Sequence, residues 1–243
     1  MDTLVCTDVI RDFGGLRALN GVSFSIEDKE IVGLIGPNGA GKTTLFNVIA
    51  GLYKPTSGKV TFRDQIISGL PPYRICRLGI ARTFQQPQPF MGLTVFQNAM
   101  VGRSFGKSGK AKFTVLEILD ILGLTGVKDE LVENLTIVGQ KKVEIAKALA
   151  TEPSLLLLDE VASGLNPREQ DDMVHLIQVL HDQLGMTMIV VEHIMRFVMT
   201  IANRIIVLDN GEIIKVGDSK TVSKDEKVIK AYLGEEYVGP ARN

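Results

Sequence analysis

Residues 36–43 read Gly-Pro-Asn-Gly-Ala-Gly-Lys-Thr, a G-x-x-x-x-G-K-[ST] run that leaves a chain few ways to fold. Its glycines let the backbone curl until successive N–H groups point inward, making a concavity for anions. The apolar run of Ile31, Val32, Leu34 and Ile35 precedes it, and "TTLFNVIAGL" follows. A strand therefore enters the loop, and a helix leaves it and ends near Gly51. That context separates a phosphate-binding loop from a glycine-rich turn that matches by accident. The helix adds the positive end of its dipole. Gly36, Pro37, Asn38, Gly39, Ala40, Gly41, Lys42, Thr43 and Thr44 are read as a nucleoside triphosphate site. Lys42 is expected to bridge the β- and γ-phosphates, and the Thr43 hydroxyl to bind Mg²⁺.

The remaining pattern extends the same architecture. "VSFSIEDKEIVGLIG" alternates around a turn at Asp28-Lys29, and "YKPTSGKVTF" supplies a turn and a further strand. "SLLLLDE" and "MTMIVVE" are short apolar runs of the kind buried on both faces of a parallel sheet. "EQDDMVHLIQVLHDQLG" spaces Met173, Leu176, Ile177, Leu180 and Leu184 as the inner stripe of a helix, leaving His175 and His181 as ordinary helix-face residues. "RIIVLDNGEIIKVGD" predicts a hairpin at Asn210-Gly211. Between about 86 and 150 the character is helical; "VLEILDILGL" places Val115, Leu116, Leu119 and Leu122 on one face and stops at Gly123. The expected fold is α/β: a P-loop (RecA-like) core over 1–85 and 151–222, an N-terminal antiparallel β subdomain, an inserted helical subdomain over 86–150, and a tail over 223–243.

At 243 residues with a formal net charge of −1, the chain has room for this core and no basic balance that would point to nucleic acid. Cys6 and Cys76 lack metal-ligand spacing and suit a reducing compartment. Asp2, Asp8, Arg11 and Asp12 break any apolar leader, and Glu192, His193 and Arg196 break "MTMIVVEHIMRFVM" well short of the roughly 20 apolar residues of a membrane span. A water-soluble protein is expected.

Asp159 and Glu160 close the apolar run at 155–158. Beside the phosphate loop, Asp159 suits a second Mg²⁺ contact and Glu160 can orient or deprotonate an attacking water. Alone, the pair is a strand ending in solvated charge.

Further strings resemble the ATP-binding subunits of ABC transporters over nearly the whole chain. "RTFQQ" resembles the family's glutamine loop, which implies that Gln85 contacts Mg²⁺ and water and senses the membrane subunit. "VVEHIM" resembles the switch-histidine strand, implying His193 near the γ-phosphate. "SGLNP" resembles the loop that presents Ser163, Gly164, Leu165 and Asn166 to a second protomer. Phe13 takes the place of the aromatic that stacks on adenine. By pattern alone each of these is an ordinary core or surface residue; their joint order carries the resemblance. "RDFGGLRALNGVSF", "GIARTFQ", "SGLNP" and "VIKAYLGEE" look like subunits of branched-chain amino acid importers, with amide, urea and lipopolysaccharide branches sharing parts. The resemblance implies ATP and Mg²⁺, transmembrane permease subunits, a second ATP-binding subunit, indirectly a substrate-binding protein, and a cytoplasmic place on the inner membrane face. Gln85 with Phe90, Leu93 and Phe96 would carry motion to the permease. The rivals are a soluble relative acting on ribosomes or DNA, against which stand the absence of a basic arm or coiled-coil insertion, and a poorly hydrolysing regulatory module.

Two departures stand out. Val161 replaces the usual proline after Glu160. Where the family carries Leu-Ser-Gly-Gly-Gln, whose serine and backbone N–H groups contact the partner's γ-phosphate, this chain reads "LTIVGQ". Without gaps, Thr136 replaces the serine, Ile137 and Val138 the glycines, and Gly139 the glutamine; shifted by one, Gly139-Gln140 aligns but Ile137 takes the serine's place. β-Branched residues there imply a cost on the order of 1–3 kcal/mol in strain or lost approach, where 1.4 kcal/mol is about tenfold in affinity. One expectation is an asymmetric pair, in which this subunit hydrolyses ATP against a partner's intact signature. The other is that the segment still caps a helix adequately.

Overall fold

The computed structural model describes residues 2–106 and 112–233; the end of the "VIKAYLGEE" string and the tail "EEYVGPARN" lie outside them from Gly234 on. The chain opens with β1 (Asp2–Phe13) and β2 (Leu16–Glu27), then β3 (Ile31–Ile35), α1 (Lys42–Ile49), β4 (Ser57–Phe62) and β5 (Gln65–Ile66). After α2 (Pro72–Leu78) and β6 (Ile80–Arg82) come three helices, α3 (Val95–Phe105), α4 (Val115–Ile121) and α5 (Ile137–Leu149). The second half alternates β7 (Leu155–Asp159), α6 (Pro167–Leu184), β8 (Thr187–Val191), α7 (Met195–Ile201), β9 (Arg204–Asp209) and β10 (Glu212–Gly217), followed by α8 (Ser219–Ser223) and α9 (Glu226–Leu233).

Two sheets result. An antiparallel sheet has the order β2-β1-β4-β5, and a six-stranded sheet the order β10-β9-β3-β8-β7-β6. In the second sheet all pairs are parallel except β9 with β10. Every residue of β3, β7 and β8 is buried, because both faces of this sheet are covered. The two faces are read off β7 itself. Leu155 and Leu157 pack with α1 and the antiparallel sheet, whereas Leu156 and Leu158 pack with α5 and α6. The cluster on the helical side runs without a break from Val95 and Leu119 to Met188 and Val190, so the helices over 86–150 share their core with the sheet.

The hairpin at Asn210-Gly211 forms as expected, with φ of 45° and 79° at its two turn residues. Asp209 faces Glu212 across it, the geometry of a type I′ turn. Helix α4 corrects one expectation. Leu116 is 50% exposed, and Ile118, at 2%, takes its place in the stripe with Val115, Leu119 and Leu122. Counted from the Thr114 cap, these four follow the i, i+3, i+4, i+7 rule that Leu116 breaks. Both cysteines are free, Cys6 buried and Cys76 half-buried. No helix among the described residues is long and apolar enough to cross a membrane.

Candidate functional site

The phosphate loop leaves β3 at the carboxyl edge of the parallel sheet and turns into α1, with Gly41 in a left-handed conformation (φ 102°) as its N-cap. At two positions glycine is imposed by close neighbours. A Cβ on Gly36 would fall 2.0 Å from the Leu208 carbonyl oxygen, and one on Gly41 2.6 Å from that of Ala18. The tip of the β9–β10 hairpin closes the same wall, the Gly211 N–H donating to the Ala40 carbonyl at 3.0 Å. Lys42 is buried and folds back on its own loop, Nζ donating to the carbonyls of Gly36 (2.7 Å) and Pro37 (2.8 Å). Burial pulls its ammonium below the ordinary lysine range, opposed by the charges of Glu160 and Asp159.

Beside the loop opens a cleft of about 610 Å³, walled by the loop, Phe13 and Tyr53, with Glu160 at its far side. Phe13 meets Tyr53 edge to face at 5.2 Å, and the Arg11 guanidinium sits 4.4 Å from the Phe13 ring. An aromatic face, 37% exposed, is thereby fixed on the cleft wall. A second cavity of about 640 Å³ shares Thr43 with the first and adds Gln85 and Asp159, three oxygen-bearing side chains in one place.

Gln85, Glu160 and His193 come from three separate connections and converge. Gln85 Nε2 donates to Glu160 Oε2 at 2.6 Å, and His193 Nδ1 lies 3.6 Å from the same oxygen. Glu160 has a left-handed backbone, φ 48°, at the turn out of β7. Three contacts hold this uncommon conformation. Its N–H donates to the Val191 carbonyl (2.9 Å), its carbonyl accepts from Lys141 Nζ (3.0 Å), and Thr83 Oγ1 accepts from the neighbouring Asp159 N–H (3.2 Å).

Two residues of this neighbourhood escaped the sequence reading. Arg82 donates from Nη2 to Asp159 Oδ2 at 2.7 Å, with both side chains under 10% exposed. Glu192 is fully buried; its Oε1 accepts from the Ala162 N–H (2.7 Å) and its Oε2 has no partner. Burial, with the nearby Glu160 charge, pushes its carboxyl up to about 7. In the sequence Glu192 only interrupts an apolar run. Its signal is a carboxylate inside a strand-end otherwise built for burial.

The "LTIVGQ" segment begins α5. Thr136 is its N-cap, the hydroxyl accepting from the Gly139 N–H at 3.3 Å, so the ungapped alignment places a hydroxyl at the helix start. Neither Ile137 nor Val138 has positive φ. The strain expected of β-branched residues here is absent, because the segment is ordinary first-turn helix; Val138 packs against the helical-side core, and the bulk left exposed is that of Ile137. Gln140 turns inward, donating to the Leu135 carbonyl at 3.2 Å. In the loop after Glu160, Ser163 is half-buried and Gly164 exposed. Leu165 does not follow them: at 6% exposure it packs into the helical-side core. Asn166 is exposed but serves as the N-cap of α6, in a capping box with Glu169. Val161 is buried in the same core as Leu165.

Residues 19–163 match the family model described as ABC transporter. The chain is 38% identical over 249 aligned positions to the high-affinity branched-chain amino acid transport ATP-binding protein LivG of Salmonella typhimurium, covering 96% of this chain and 98% of that one. Among solved structures, the ADP conformation of MJ1267, an ATP-binding cassette of an ABC transporter, superposes with a TM-score of 0.88 at 32% identity, covering 97% of this chain and all of that one. The dimeric post-hydrolysis state of the cassette MJ0796 bound to ADP and Pi gives 0.77 at 27% identity, covering 89% and 98%. With a phosphate loop, an acidic strand end and a Gln–Glu–His convergence in the order the family requires, this chain belongs to the ABC transporter family as a nucleotide-binding ATPase cassette.

Proposed function

We propose that this cassette hydrolyses ATP to drive import of branched-chain amino acids, working as one of a pair on transmembrane permease subunits fed by a substrate-binding protein. The observation that carries hydrolysis is Glu160 Oε2 held between Gln85 and His193 beside the phosphate loop. The cargo rests on the likeness to LivG, and other cargoes remain the second choice.

The residues fit a triphosphate and a divalent cation. The cleft of about 610 Å³ is lined by the loop residues 38–44, and Thr43, Gln85 and Asp159 offer the hard oxygen donors Mg²⁺ prefers. Bound there, Mg²⁺ would neutralise charge on the β- and γ-phosphates. Lys42 exchanges the carbonyls of Gly36 and Pro37 for phosphate oxygens, and α1 directs its N-terminus at them. Phe13, backed by Arg11 and Tyr53, receives the base. Glu160 orients and deprotonates the attacking water, Gln85 fixes the carboxylate that does so, and His193 faces the γ-phosphate. Most of the rate then comes from positioning and charge stabilisation.

The division into a core over 1–85 and 151–222, helices over 86–150 and a tail over 223–243 is part of this reading. An apolar groove of about 300 Å³ between α2 and α3 supports a permease contact, with Leu52, Phe84, Phe90 and Phe105 each 45–65% exposed around it. Leu93 and Phe96 are half-buried, and Phe96 packs against the helical-side core. The absence of any membrane-crossing helix among the described residues is consistent with a peripheral position on the inner, cytoplasmic face.

The test is Glu160→Gln with ATP and Mg²⁺. Hydrolysis should fall by about 10²–10⁴ with nucleotide binding retained, as read by phosphate release and a fluorescent ATP analogue. Light scattering of the same variant at several concentrations reads the pairing. An ATP-dependent dimer shows that "LTIVGQ" closes a site. A monomer that binds ATP tightly shows that a different subunit must supply the signature. Unchanged turnover would end the assignment of Glu160.

A further inference from the structure

We propose that Arg82 is a positioning residue that neutralises the Asp159 carboxylate before nucleotide arrives, so that the metal site accepts a divalent cation only together with a triphosphate. The inference rests on the reading above that Asp159 is a Mg²⁺-binding carboxylate.

Arg82 is held from every side. Nη2 donates to Asp159 Oδ2 at 2.7 Å and Nη1 to Asn47 Oδ1 on α1. The guanidinium carbon lies 5.6 Å from the Phe46 ring centre and 5.3 Å from that of Phe84. A guanidinium stays charged under all ordinary conditions, and burying it is costly unless an anion pairs with it. Its Nε has no partner, so the group is held by the acid, the amide and the rings. The register of the sheet explains the pairing. Arg82 faces Leu157 across β6 and β7, and Asp159 lies two residues further along the same face.

The local charge balance shows what the pairing does. β7 brings Asp159 and Glu160 to its carboxyl end, where Lys141 Nζ meets the Glu160 carbonyl, Lys42 is turned to its own loop carbonyls, and Arg82 is the cation paired with Asp159. Among the described residues Asp159 is the one carboxylate lining the cavity it shares with Thr43, Gln85, Gln86 and Gln88, and unpaired it would attract a free divalent cation. Arg82 lines the same 640 Å³ cavity as Thr43, Gln85 and Asp159, and its unit charge opposes a cation arriving alone. A cation arriving on a triphosphate brings the anionic oxygens that compensate the guanidinium. Arg82 also lies three residues before Gln85, so the group that guards the metal carboxylate is continuous with the loop that reaches Glu160.

The experiment is calorimetric titration of the full chain with Mn²⁺ in the absence of nucleotide, a readout independent of turnover. Wild type should bind weakly. Arg82→Gln should bind on the order of tenfold more tightly, since one unit charge next to the carboxylate is removed. Arg82→Lys, which keeps the charge, should stay with wild type, and Arg82→Gln with Asp159→Asn should lose the gain. No gain in Arg82→Gln overturns the proposal, as does an equal gain in Arg82→Lys, which would make space rather than charge the cause. If Arg82→Gln does not fold, Arg82→Met, which keeps an apolar stem between Phe46 and Phe84, replaces it. Asp159→Asn alone, titrated with Mn²⁺ and an ATP analogue, separates the two readings. An unaltered metal dependence removes the assignment of Asp159 itself. A weakened one with no gain in Arg82→Gln removes only the role of Arg82.

Discussion

Helices α1 and α5 both start where a phosphate is expected: α1 at the nucleotide of its own chain and α5, under the proposed pairing, at that of its partner. Their beginnings are built in opposite ways. Helix α1 has no side-chain cap and begins at a left-handed Gly41, in a loop pressed on one side by the β9–β10 hairpin and on the other by Ala18. Helix α5 begins with a threonine cap, ordinary backbone and a half-exposed Ile137. A Cβ on Gly139, in its first turn, would meet only the Leu135 side chain, whose Cβ lies at 3.0 Å, a tight contact relieved by a shift of a few tenths of an ångström. Glycine is therefore demanded at α1 by the chain's own walls. At α5 no backbone wall demands it. Sequence change at α1 endangers the fold, whereas change at α5 alters what the chain can do with a partner.

The comparison breaks most visibly at Gly36. Gly36→Ala puts a methyl 2.0 Å from the Leu208 carbonyl on a backbone with φ of 154°, and should cost about 3 kcal/mol or more. Urea denaturation should show the loss, and binding of a fluorescent ATP analogue should disappear with it. If Gly36→Ala is as stable as wild type, the loop is not pressed as described.

Glu192 belongs to the α5 side of the comparison, since it accepts from Ala162 after Glu160 while Lys141 of α5 reaches the Glu160 carbonyl. The folded chain holds the Glu192 proton up to about pH 7, whereas an unfolded chain releases it near 4.5. Between these values the folded state binds more protons, so this group's contribution to stability falls as pH rises from 4.5 to 7 and is constant above. The span corresponds to about 3 kcal/mol as an upper figure. Glu192→Gln keeps the shape and an acceptor for Ala162, so it should flatten that part of the pH profile and be the more stable protein at pH 8. Parallel profiles for the two proteins would show that Glu192 is already ionised at pH 5.

What the sequence disclosed divides along the same line. The phosphate loop, the apolar strands and the Asn210-Gly211 turn were legible because each is specified by consecutive residues. Arg82 was not, because its meaning depends on β6 lying beside β7 in one register, which brings it to Asp159 across 77 positions. Glu192 looked like a break in an apolar run because its partner, the Ala162 N–H, is 30 residues away. The string "SGLNP" points Leu165 and Asn166 alike at a partner surface; the packing of α6 takes Leu165 as core, and leaves Asn166 exposed while using its side chain as a cap. Leu116 was misplaced by counting a stripe without its cap. Local rules found what a segment does by itself and missed what two segments do together.

The smallest stability effect gives the sharpest version of the comparison. Replacing Ile137 and Val138 together by glycine should cost the isolated chain about 2 kcal/mol, the difference in helix propensity plus the packing of the half-buried Val138, because neither residue is strained. If their bulk is what keeps a partner's nucleotide at a distance, the same double variant on the Glu160→Gln background should dimerise with ATP about tenfold more readily, a change of roughly 1.4 kcal/mol. Stability and assembly would then move in opposite directions from one pair of substitutions, which no change at Gly36 can do. An unaltered dimerisation constant would mean that the Thr136 hydroxyl and the first N–H groups of α5 already suffice, and that the departure from the family string has no consequence for closure.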